Sequence, residues 1–359
     1  MRQRFIAGLF GKKPPDWGAL LAELRALGGT AENIILRDGP RGRGLFPLNP
    51  ANPVRLYLPP NLLVNAEDTE IRDGRLVIKT SAPIEARERA FFDCYQQDFS
   101  WGAGVLDDLW QTQLAWSRLP QDIRDALPVD GADFSEPSEA LRHKHYVKTR
   151  SIIRGAARVI MPVVELVNHD SAFPGYGSQD GVAVGGVFEG EVLVNYGGGD
   201  CWGMATNYGF CNARNQAHSL PGNFKFEDYC IEICRNAEPS KRIDGYTMPI
   251  VRVEDNTIRF PFLTLGNVQT PQLPRSISLH ITKNMPLRQP DALFDLIHHY
   301  NRLLFLKFLQ ASEGHATPFV AMLRSAAYQQ LTTLSSHWGT ASLPVLASRN
   351  RQKFPVRGA

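Results

Sequence analysis

The apolar run at residues 159–164, Val-Ile-Met-Pro-Val-Val, is the most strand-like segment of the chain, and it ends in a cluster of polar side chains. Glu165 follows the run directly, and Asn168, His169 and Asp170 come three residues later. A continuous apolar run bounded by turn residues is typical of a buried strand. One interpretation of the polar cluster is an Asx-type turn that caps the strand. The alternative is that the strand presents these groups to a ligand.

The overall composition is that of an ordinary globular protein. The chain has 359 residues, 43% of them hydrophobic and 21% charged, which leaves room for roughly two domains of ~100 to 200 residues each. The net charge of +3 is too small to demand nucleic acid or an acidic membrane as a partner. No window approaches the ~18 consecutive apolar residues of a membrane span. We therefore expect neither nucleic acid nor a membrane among the partners.

The cysteines and the start of the chain favour a cytoplasmic location. The 5 cysteines are scattered and include no Cys-x-x-Cys pair, so neither a secreted disulfide framework nor a zinc ribbon is indicated. The first 15 residues begin with basic side chains, but their apolar run is shorter than the ~7 to 15 residues of a secretory signal. Residues 346–359 are predicted to form a basic flexible tail, a solvated end rather than an interaction arm.

Residues 1–84 predict one helix followed by short strands. Asp16 is a good N-cap, and Gly28-Gly29 is a good stop signal for a helix between them. The leucines of this helix share one face: Leu20, Leu21, Leu24 and Leu27. Glycine and proline punctuation then separates strands at 33–36, 43–46 and 54–58, with two more strands within 61–80 around Asp73-Gly74.

The periodicity of the apolar residues changes in the middle of the chain. Residues 85–150 have helical spacing and predict a helical insertion. Strand patterns return over 151–264, where segments 181–184 and 191–195 are joined through Glu189-Gly190, a hairpin signal. Further along, alternation predicts that Cys230 and Cys234 share one face of a strand and pack as small hydrophobic residues.

Helical spacing returns from about residue 290 and predicts an all-helical domain at 265–345. The first helix is expected to bury one apolar face: Leu293, Leu296, Ile297, Tyr300, Leu303, Leu304 and Phe308. A second helix begins near Pro318, which suits a first turn, and is expected to bury Val320, Leu323, Ala327 and Leu331. Together these patterns predict the α+β class, with a β-rich part and a separate C-terminal helical part.

Two further motifs are weak when each is taken alone. Arg41-Gly-Arg-Gly-Leu-Phe at 41–46 follows a strand, but the third glycine of a dinucleotide fingerprint is missing, so a plain tight turn is favoured. Tyr196 and Tyr208 are each followed by glycine, although a single tyrosine is more often a half-buried packing residue. No metal site is predicted, because His169 has no second histidine at ligand spacing.

In combination, these motifs have a characteristic order. Gly-x-Gly near the start, a strand ending in Asn-His, a hairpin, Tyr-Gly, Tyr-Gly-Phe and a helical C-terminal domain resemble the SET-domain protein methyltransferases. The similarity is greatest to the group typified by the Rubisco large-subunit lysine methyltransferases, and it covers about residues 16–340. It implies a β-rich SET fold in which a segment near Tyr208 threads past the Asn168-His169 loop in a knot-like crossing. It also implies that residues 265–345 bind the substrate.

The resemblance implies S-adenosyl-L-methionine as the cofactor and assigns roles residue by residue. The backbone at 41–44 would hold the cofactor, Arg150 would face its carboxylate, and Asn168 with His169 would bind it through backbone and amide contacts. Glu165 stands where an aspartate is common in the family. The cofactor-binding residues it implies are Arg41, Gly42, Arg43, Gly44, Arg150, Glu165, Asn168, His169 and Tyr208. The catalytic residues it implies are Tyr208, in the active site, and Tyr196, which would line the channel of the target side chain.

The implied activity is methyl transfer to a lysine amine of a protein substrate. A related alternative keeps the fold and methylates a histidine imidazole. A third alternative is a SET-like protein that no longer methylates, a cofactor-binding module or a tailoring protein for a small molecule. It is motivated by departures from the family pattern, since Cys201 and Gly203 stand where an asparagine and an acid are usual and Asp170 replaces a serine.

Overall fold

The computed structural model describes residues 15–129, 133–177, 180–197, 199–211, 214–234, 241–243, 246–283 and 285–336. The helices are α1 (Trp17–Ala26), α2 (Ala86–Phe99), α3 (Leu106–Ser117), α4 (Gln121–Ala126), α5 (Glu139–Thr149), α6 (Cys201–Tyr208), α7 (Leu273–Thr282), α8 (Pro290–Ala311) and α9 (Pro318–Ser335). The strands are β1 (Thr30–Glu32), β2 (Ile34–Gly39), β3 (Gly42–Pro47), β4 (Val54–Leu58), β5 (Val64–Asn65), β6 (Thr69–Arg72), β7 (Arg75–Ile78), β8 (Ser151–Arg154), β9 (Ala157–Ile160), β10 (Asn168–His169), β11 (Val182–Gly186), β12 (Leu193–Val194), β13 (Gln216–His218), β14 (Gly222–Phe226), β15 (Tyr229–Ile233), β16 (Lys241–Ile243), β17 (Tyr246–Met248), β18 (Arg252–Glu254), β19 (Thr257–Phe260) and β20 (Thr264–Asn267). The predicted α+β class is confirmed.

The described residues form two compact units. The first takes its residues from 15–109 and 138–195, and the second takes its residues from 110–137 and 196–336. The sequence-based division at residues 84, 150, 264 and 345 remains a prediction. The predicted basic tail at 346–359 lies outside the described residues, as does most of the basic start. Among the described helices, none is both long enough and apolar enough to cross a membrane.

The N-terminal helix forms as its capping residue and its apolar spacing predict. The Asp16 carboxylate accepts a hydrogen bond from the Ala19 amide at 3.0 Å, which satisfies one of the free N–H groups at the start of α1. Leu20, Leu21 and Leu24 are buried on one face. The chain leaves the helix at Gly28, whose φ of +91° lies in the left-handed region that favours glycine.

Short antiparallel pairs account for much of the first unit. β2 and β3 form a hairpin with Gly39 opposite Gly42, and β6 and β7 form another across Asp73-Gly74, both at positive φ. β4 lies between β1 and β11, and β9 lies between β5 and β8. The strands predicted at 33–36, 43–46, 54–58 and within 61–80 are therefore confirmed, as is the helical character of α2, α3 and α5 in the predicted insertion.

The hairpin predicted for segments 181–184 and 191–195 is wrong. β11 pairs antiparallel with β4, whereas β12 pairs parallel with β10. Between them, the Val192 amide donates to the Leu45 carbonyl at 2.8 Å. The two strands find their partners elsewhere in the first unit because strand pairing is decided by burial and by distant strands as well as by the turn residues.

The apolar run at 159–164 also differs from one continuous strand. β9 ends at Ile160, because Pro162 cannot donate a ladder hydrogen bond. Val163 has φ 68° and ψ −49° and is fully buried, a conformation that is costly for a β-branched residue. A 3-10 turn at Val164–Leu166 follows and packs against β3, β4 and β11. This detour places Asn168 and His169 in a separate two-residue strand, β10, beside β12.

The second unit packs its helices and a small sheet around one apolar core. The sheet has the order β14-β15-β19-β18, with β15 and β19 parallel. Its core includes large side chains from the sheet and from α6, α8 and α9: Trp202, Ile231, Phe260, Phe294, Phe305, Phe308 and Leu323. Cys230 is a half-buried residue of β15, whereas Cys234 follows the end of this strand and is exposed; Ile231 and Ile233 face the core. The prediction that both cysteines share a strand face and pack as small hydrophobic residues is therefore wrong for Cys234.

The two long C-terminal helices are present, but the buried face of α8 differs from the predicted one. Leu296, Tyr300 and Leu303 are exposed at 40%, 39% and 51%. His298 and Asn301 are buried instead, and each makes a hydrogen bond to a backbone group. The His298 ring donates to the Leu334 carbonyl at 2.8 Å, and the Asn301 amide oxygen accepts from the Leu220 amide at 2.7 Å. The predicted face of α9 is confirmed, with Val320, Leu323, Ala327 and Leu331 buried.

Candidate active site

The Arg41–Gly44 motif is the tip of the β2–β3 hairpin. Gly42 has φ +90°, and no atom of the surroundings would contact a Cβ there, so its backbone conformation is what favours glycine. The Arg43 guanidinium donates to the Ala103 carbonyl at 3.2 Å. The tight turn expected from the sequence is therefore present, and its role in holding a cofactor remains a prediction.

Gly44 leaves room for two polar side chains that approach β3. A Cβ at residue 44 would lie 2.6 Å from the Asn168 amide nitrogen and would also collide with the Glu191 carboxylate. Real Cβ contacts essentially never fall below 3.0 Å. The second glycine of the motif is thus explained by close approach, since any larger residue would displace Asn168 and Glu191.

Asn168 and His169 are held by the strand and turn around them. The Asn168 amide nitrogen donates to the Arg43 carbonyl at 3.1 Å and to the Glu191 carboxylate at 2.6 Å. The buried His169 ring donates through Nδ1 to the Val194 carbonyl at 3.1 Å, across the parallel β10–β12 pair. These bonds connect the hairpin tip to the Asn-His pair, so the first unit does bring the predicted residues Arg43, Gly44, Asn168 and His169 together.

Arg41 joins the same group through two acidic side chains. Its guanidinium lies 2.9 Å from an Asp170 oxygen and 3.3 Å from a Glu191 oxygen. The Arg41 side chain is 42% exposed, whereas that of Glu191 is 3% exposed. Asp170 therefore contributes an ion pair to the hairpin tip.

Glu165 and Arg150 form a second group within the first unit. The buried Glu165 carboxylate accepts hydrogen bonds on one oxygen from Tyr95 at 2.7 Å, from Tyr146 at 2.8 Å and from Ser100. Its other oxygen lies 3.6 Å from the Arg150 guanidinium. Burial, with the nearby Glu165 carboxylate, raises the pKa of Tyr95 and of Tyr146 well above the usual value. The hydrogen bonds from Tyr95, Tyr146 and Ser100 hold the Glu165 carboxylate in place, and this carboxylate anchors the Arg150 guanidinium.

The predicted catalytic tyrosines both belong to the second unit. The ring centroids of Tyr196 and Tyr208 lie 5.4 Å apart, and the ring planes are inclined by 44°. The ring centroid of Phe210 lies 6.0 Å from that of Tyr208. Tyr208 is the last residue of α6, and Gly209 ends the helix in the left-handed conformation with φ 73°. The glycine after Tyr208 is thus explained as a helix cap. Both tyrosine side chains are half-buried.

Asp200 fixes the start of the helix that carries Tyr208, and the sequence reading missed it. One carboxylate oxygen accepts from the Gly203 amide at 2.7 Å. The other accepts from the His218 amide at 3.0 Å and from the Gln330 side chain at 2.6 Å. Asp200 is fully buried, so three donors depend on this one carboxylate.

The sulfur atoms of Cys201, the first residue of α6, and Cys211 lie 3.0 Å apart, and both are free thiols. The hydrogen bond from Cys201 lowers the pKa of Cys211. The same bond, with burial, raises the pKa of Cys201. Within the described part of the chain, no cluster of three His, Cys, Asp or Glu side chains is arranged to hold a metal ion.

Glu191 is the other residue that the sequence reading missed. It follows Glu189-Gly190, and its partners Asn168 and Arg41 lie 23 and 150 residues away in the chain. No local pattern signals such a contact. Asp200 did carry a signal, since an aspartate directly before a helix is a common N-cap.

No family model matches the sequence, and no curated protein is a significant match. The chain is similar to a crystal structure of the SET domain of LSMT bound to lysine and AdoHcy, with 12% identity, a TM-score of 0.41 and coverage of 88% of each chain. It is also similar to a structure of Rubisco LSMT bound to AdoMet, with 12% identity, a TM-score of 0.42 and coverage of 89% of each chain.

Proposed function

We propose that the protein is a SET-type, S-adenosylmethionine-dependent protein lysine N-methyltransferase, and that its SET fold includes the knot-like crossing near Tyr208. The observation that carries the proposal is the meeting of the Arg41–Gly44 turn with Asn168 at Gly44. Two motifs separated by more than a hundred residues, which the resemblance assigns to one cofactor, are hydrogen-bonded to each other. A chance resemblance of two short motifs would not require this contact.

The first unit offers groups suited to the amino-acid end of the cofactor. Backbone groups at 41–44 would approach the ligand closely because two glycines lack side chains. Arg150, anchored by Glu165, would pair with the carboxylate through its guanidinium fork. Asn168 and His169 would complete the site with amide and backbone contacts. Glu165 acts in this proposal through Arg150, because its carboxylate is buried among hydroxyl groups.

Tyr208 and Tyr196 would orient the target amine. When bound, S-adenosylmethionine supplies a methyl group on a sulfonium for in-line displacement. Alignment of the reacting atoms can contribute roughly 7 to 11 kcal/mol, and the Tyr208 hydroxyl would contribute by accepting a hydrogen bond from the amine. The lysine must be neutral to react, and its pKa of about 10.4 in water falls when it enters an apolar channel. A tyrosine with a pKa of about 10 in water is a poor base at neutral pH, so we assign Tyr208 to positioning the substrate.

The test is transfer of labelled methyl groups from S-adenosylmethionine into the proteins of a cell lysate. We expect Tyr208→Phe to lose most of the wild-type activity, and Tyr57→Phe, a half-buried tyrosine of β4, to retain it. Full activity of Tyr208→Phe would remove this residue from the mechanism. Mass analysis of the labelled product distinguishes methyl-lysine from the alternative, methyl-histidine.

A non-methylating function is the second candidate, and the Asp170 ion pair favours it. Asp170 replaces the family's serine and binds Arg41 at the hairpin tip, where it could alter the cofactor loop. Calorimetry with S-adenosylmethionine separates the candidates, because a protein that binds no cofactor under any condition cannot be a methyltransferase of this type. A cytoplasmic location and a protein substrate belong to the same proposal and rest on the cysteine pattern and on the resemblance.

A further inference from the structure

Glu191 is a buried carboxylate placed between Asn168 and Arg41. One of its oxygens accepts from the Asn168 amide nitrogen at 2.6 Å, and the other faces the Arg41 guanidinium at 3.3 Å. Only 7% of the residue is exposed. A buried carboxylate is costly unless it is paired and hydrogen-bonded, and these two partners meet that requirement from opposite sides. They also fix the orientation of the carboxylate plane.

The partners of Asn168 determine which way its amide group points. An asparagine amide has a nitrogen that only donates and an oxygen that only accepts. Both partners of the nitrogen, the Arg43 carbonyl and the Glu191 carboxylate, are acceptors. A flipped amide would place its oxygen against these two acceptors and lose both hydrogen bonds. The Asn168 oxygen is therefore directed away from Arg43 and Glu191.

The negative charge of Glu191 makes this preference strong. Hydrogen bonds to an ionised group are about twice as strong as those between neutral groups. A neutral amide in place of Glu191 could present either its oxygen or its nitrogen to Asn168. The Arg43 carbonyl alone would then favour the observed orientation, so a flipped Asn168 amide would cost less than it does beside the Glu191 carboxylate.

We propose that Glu191 is a positioning residue that holds the Asn168 amide oxygen toward the α-ammonium of the cofactor. This inference rests on the proposed function, since it assumes that S-adenosylmethionine binds beside Asn168. The α-ammonium is the charged hydrogen-bond donor of that molecule, whereas its sulfonium has no hydrogen to donate. An amide oxygen of fixed direction is suited to this group, whereas a flipped amide would present a repelling N–H.

The test compares two ligands that differ by one amino group, S-adenosylhomocysteine and its deaminated analogue. Calorimetry gives the ratio of their dissociation constants for each protein. We expect the wild-type protein to prefer the amino form by about tenfold or more, as for one charge-assisted hydrogen bond. In Glu191→Gln the ratio should fall below the wild-type value, with most of the lost affinity on the amino form. Glu189→Gln is the matched control, because Glu189 is exposed and lies two residues away, and it should keep the wild-type ratio.

The outcomes separate the inference from the proposed function. If Glu191→Gln weakens both ligands equally and keeps the ratio, Glu191 only supports the fold and the inference is overturned, while cofactor binding stands. If the wild-type protein binds neither ligand and does not bind S-adenosylmethionine, the proposed function fails and the inference fails with it. Asn168→Ala provides a second variant in case Glu191→Gln does not fold, as judged by circular dichroism. An unchanged ratio in Asn168→Ala would also overturn the inference.

Discussion

Gly44 and Asn168 are so close that a Cβ at residue 44 would lie 2.6 Å from the Asn168 amide nitrogen. We expect Gly44→Ala to push Asn168 and Glu191 away from β3 and to break the bond to the Arg43 carbonyl. Overpacking of this kind costs about 1 to 3 kcal/mol of unfolding free energy. Urea unfolding measures that loss, and calorimetry should show weaker binding of S-adenosylmethionine.

Gly190→Ala is the control for this substitution. A Cβ at residue 190 would meet no atom within 4 Å, so stability and cofactor affinity should stay near the wild-type values. A Gly44→Ala protein as stable as Gly190→Ala would show that Asn168 and Glu191 can move aside without cost.

The buried carboxylate of Asp200 is expected to be a major stabilising group of the second unit. Asp200→Ala removes the acceptor of three donors, from Gly203, His218 and Gln330. Each buried donor left without a partner costs about 1 to 3 kcal/mol, so we expect a loss of at least about 3 kcal/mol in urea unfolding.

Thr317→Ala is the matched helix-cap variant for Asp200→Ala. Thr317 caps α9 through one bond to the Val320 amide at 3.3 Å, and losing such a cap costs about 1 kcal/mol. Equal losses in the two variants would contradict the special role of Asp200. Methyl transfer should fall further in Asp200→Ala, because α6 carries Tyr208.

The hydroxyl network around Glu165 predicts a loss of stability at alkaline pH. In the folded protein, the pKa values of Tyr95 and Tyr146 lie above those of the same residues in the unfolded chain. The contribution of these two tyrosines to the free energy of unfolding is therefore fully present below pH about 10. It is lost as the pH rises above that value, because the unfolded chain then releases the two protons while the folded protein still holds them. Above that pH, each such tyrosine makes the free energy of unfolding fall by up to about 1.4 kcal/mol per pH unit.

Tyr146→Phe tests this contribution. The variant should lose about 1 to 3 kcal/mol at neutral pH, since a buried hydrogen bond to a charged group is removed. Between pH 10 and 11 its unfolding free energy should fall less steeply than that of the wild type. Urea unfolding at several pH values gives both quantities, and identical slopes would show that Tyr146 ionises in the folded protein as it does in the unfolded chain.

Cys211 is expected to react with alkylating agents at lower pH than Cys94. The thiolate is the reactive form. The hydrogen bond from Cys201 lowers the pKa of Cys211, whereas burial and Asp98 raise the pKa of Cys94. Iodoacetamide labelling followed by peptide mass analysis should give a lower pH midpoint for Cys211.

Cys201→Ala removes the hydrogen-bond donor and should raise the pH midpoint of Cys211. The midpoint of Cys94 in the same samples is the internal control and should not change. An unchanged Cys211 midpoint would mean that the Cys201 thiol does not stabilise the Cys211 thiolate.

Local signals account for what could be predicted from the sequence. The cap at Asp16, the turn at 41–44 and the start of α9 at Pro318 each depend on residues within a few positions of one another. The turn at Glu189-Gly190 did not determine the pairing of β11 and β12, because β11 pairs with β4 and β12 pairs with β10, both distant in the chain. The buried face of α8 differs from the predicted face for a similar reason, since His298 and Asn301 are buried by hydrogen bonds to backbone groups far away in the chain.

The candidate site was predictable only in part for the same physical reason. Asn168, His169 and the Arg41–Gly44 turn belong to motifs, so their residue types could be identified. Glu191 has no motif, and its role depends on three-dimensional contacts with Asn168 and Arg41. The role of Val163 could not be predicted either. Its positive φ sets the path of the chain toward Asn168, but no residue pattern around a valine signals a positive φ.

The hydrogen bonds that join the hairpin tip to Asn168 and Glu191 also constrain when the site can form during synthesis. They connect residues separated by 125 and 150 positions in the chain. Closing such long loops is entropically costly and slows folding. While the ribosome still holds residue 191, the β2–β3 hairpin can be complete, but its tip has neither Glu191 nor an oriented Asn168. The ligand-binding form of the first unit is therefore expected to appear only after residues 191–195 have left the exit tunnel, well after the hairpin that it needs.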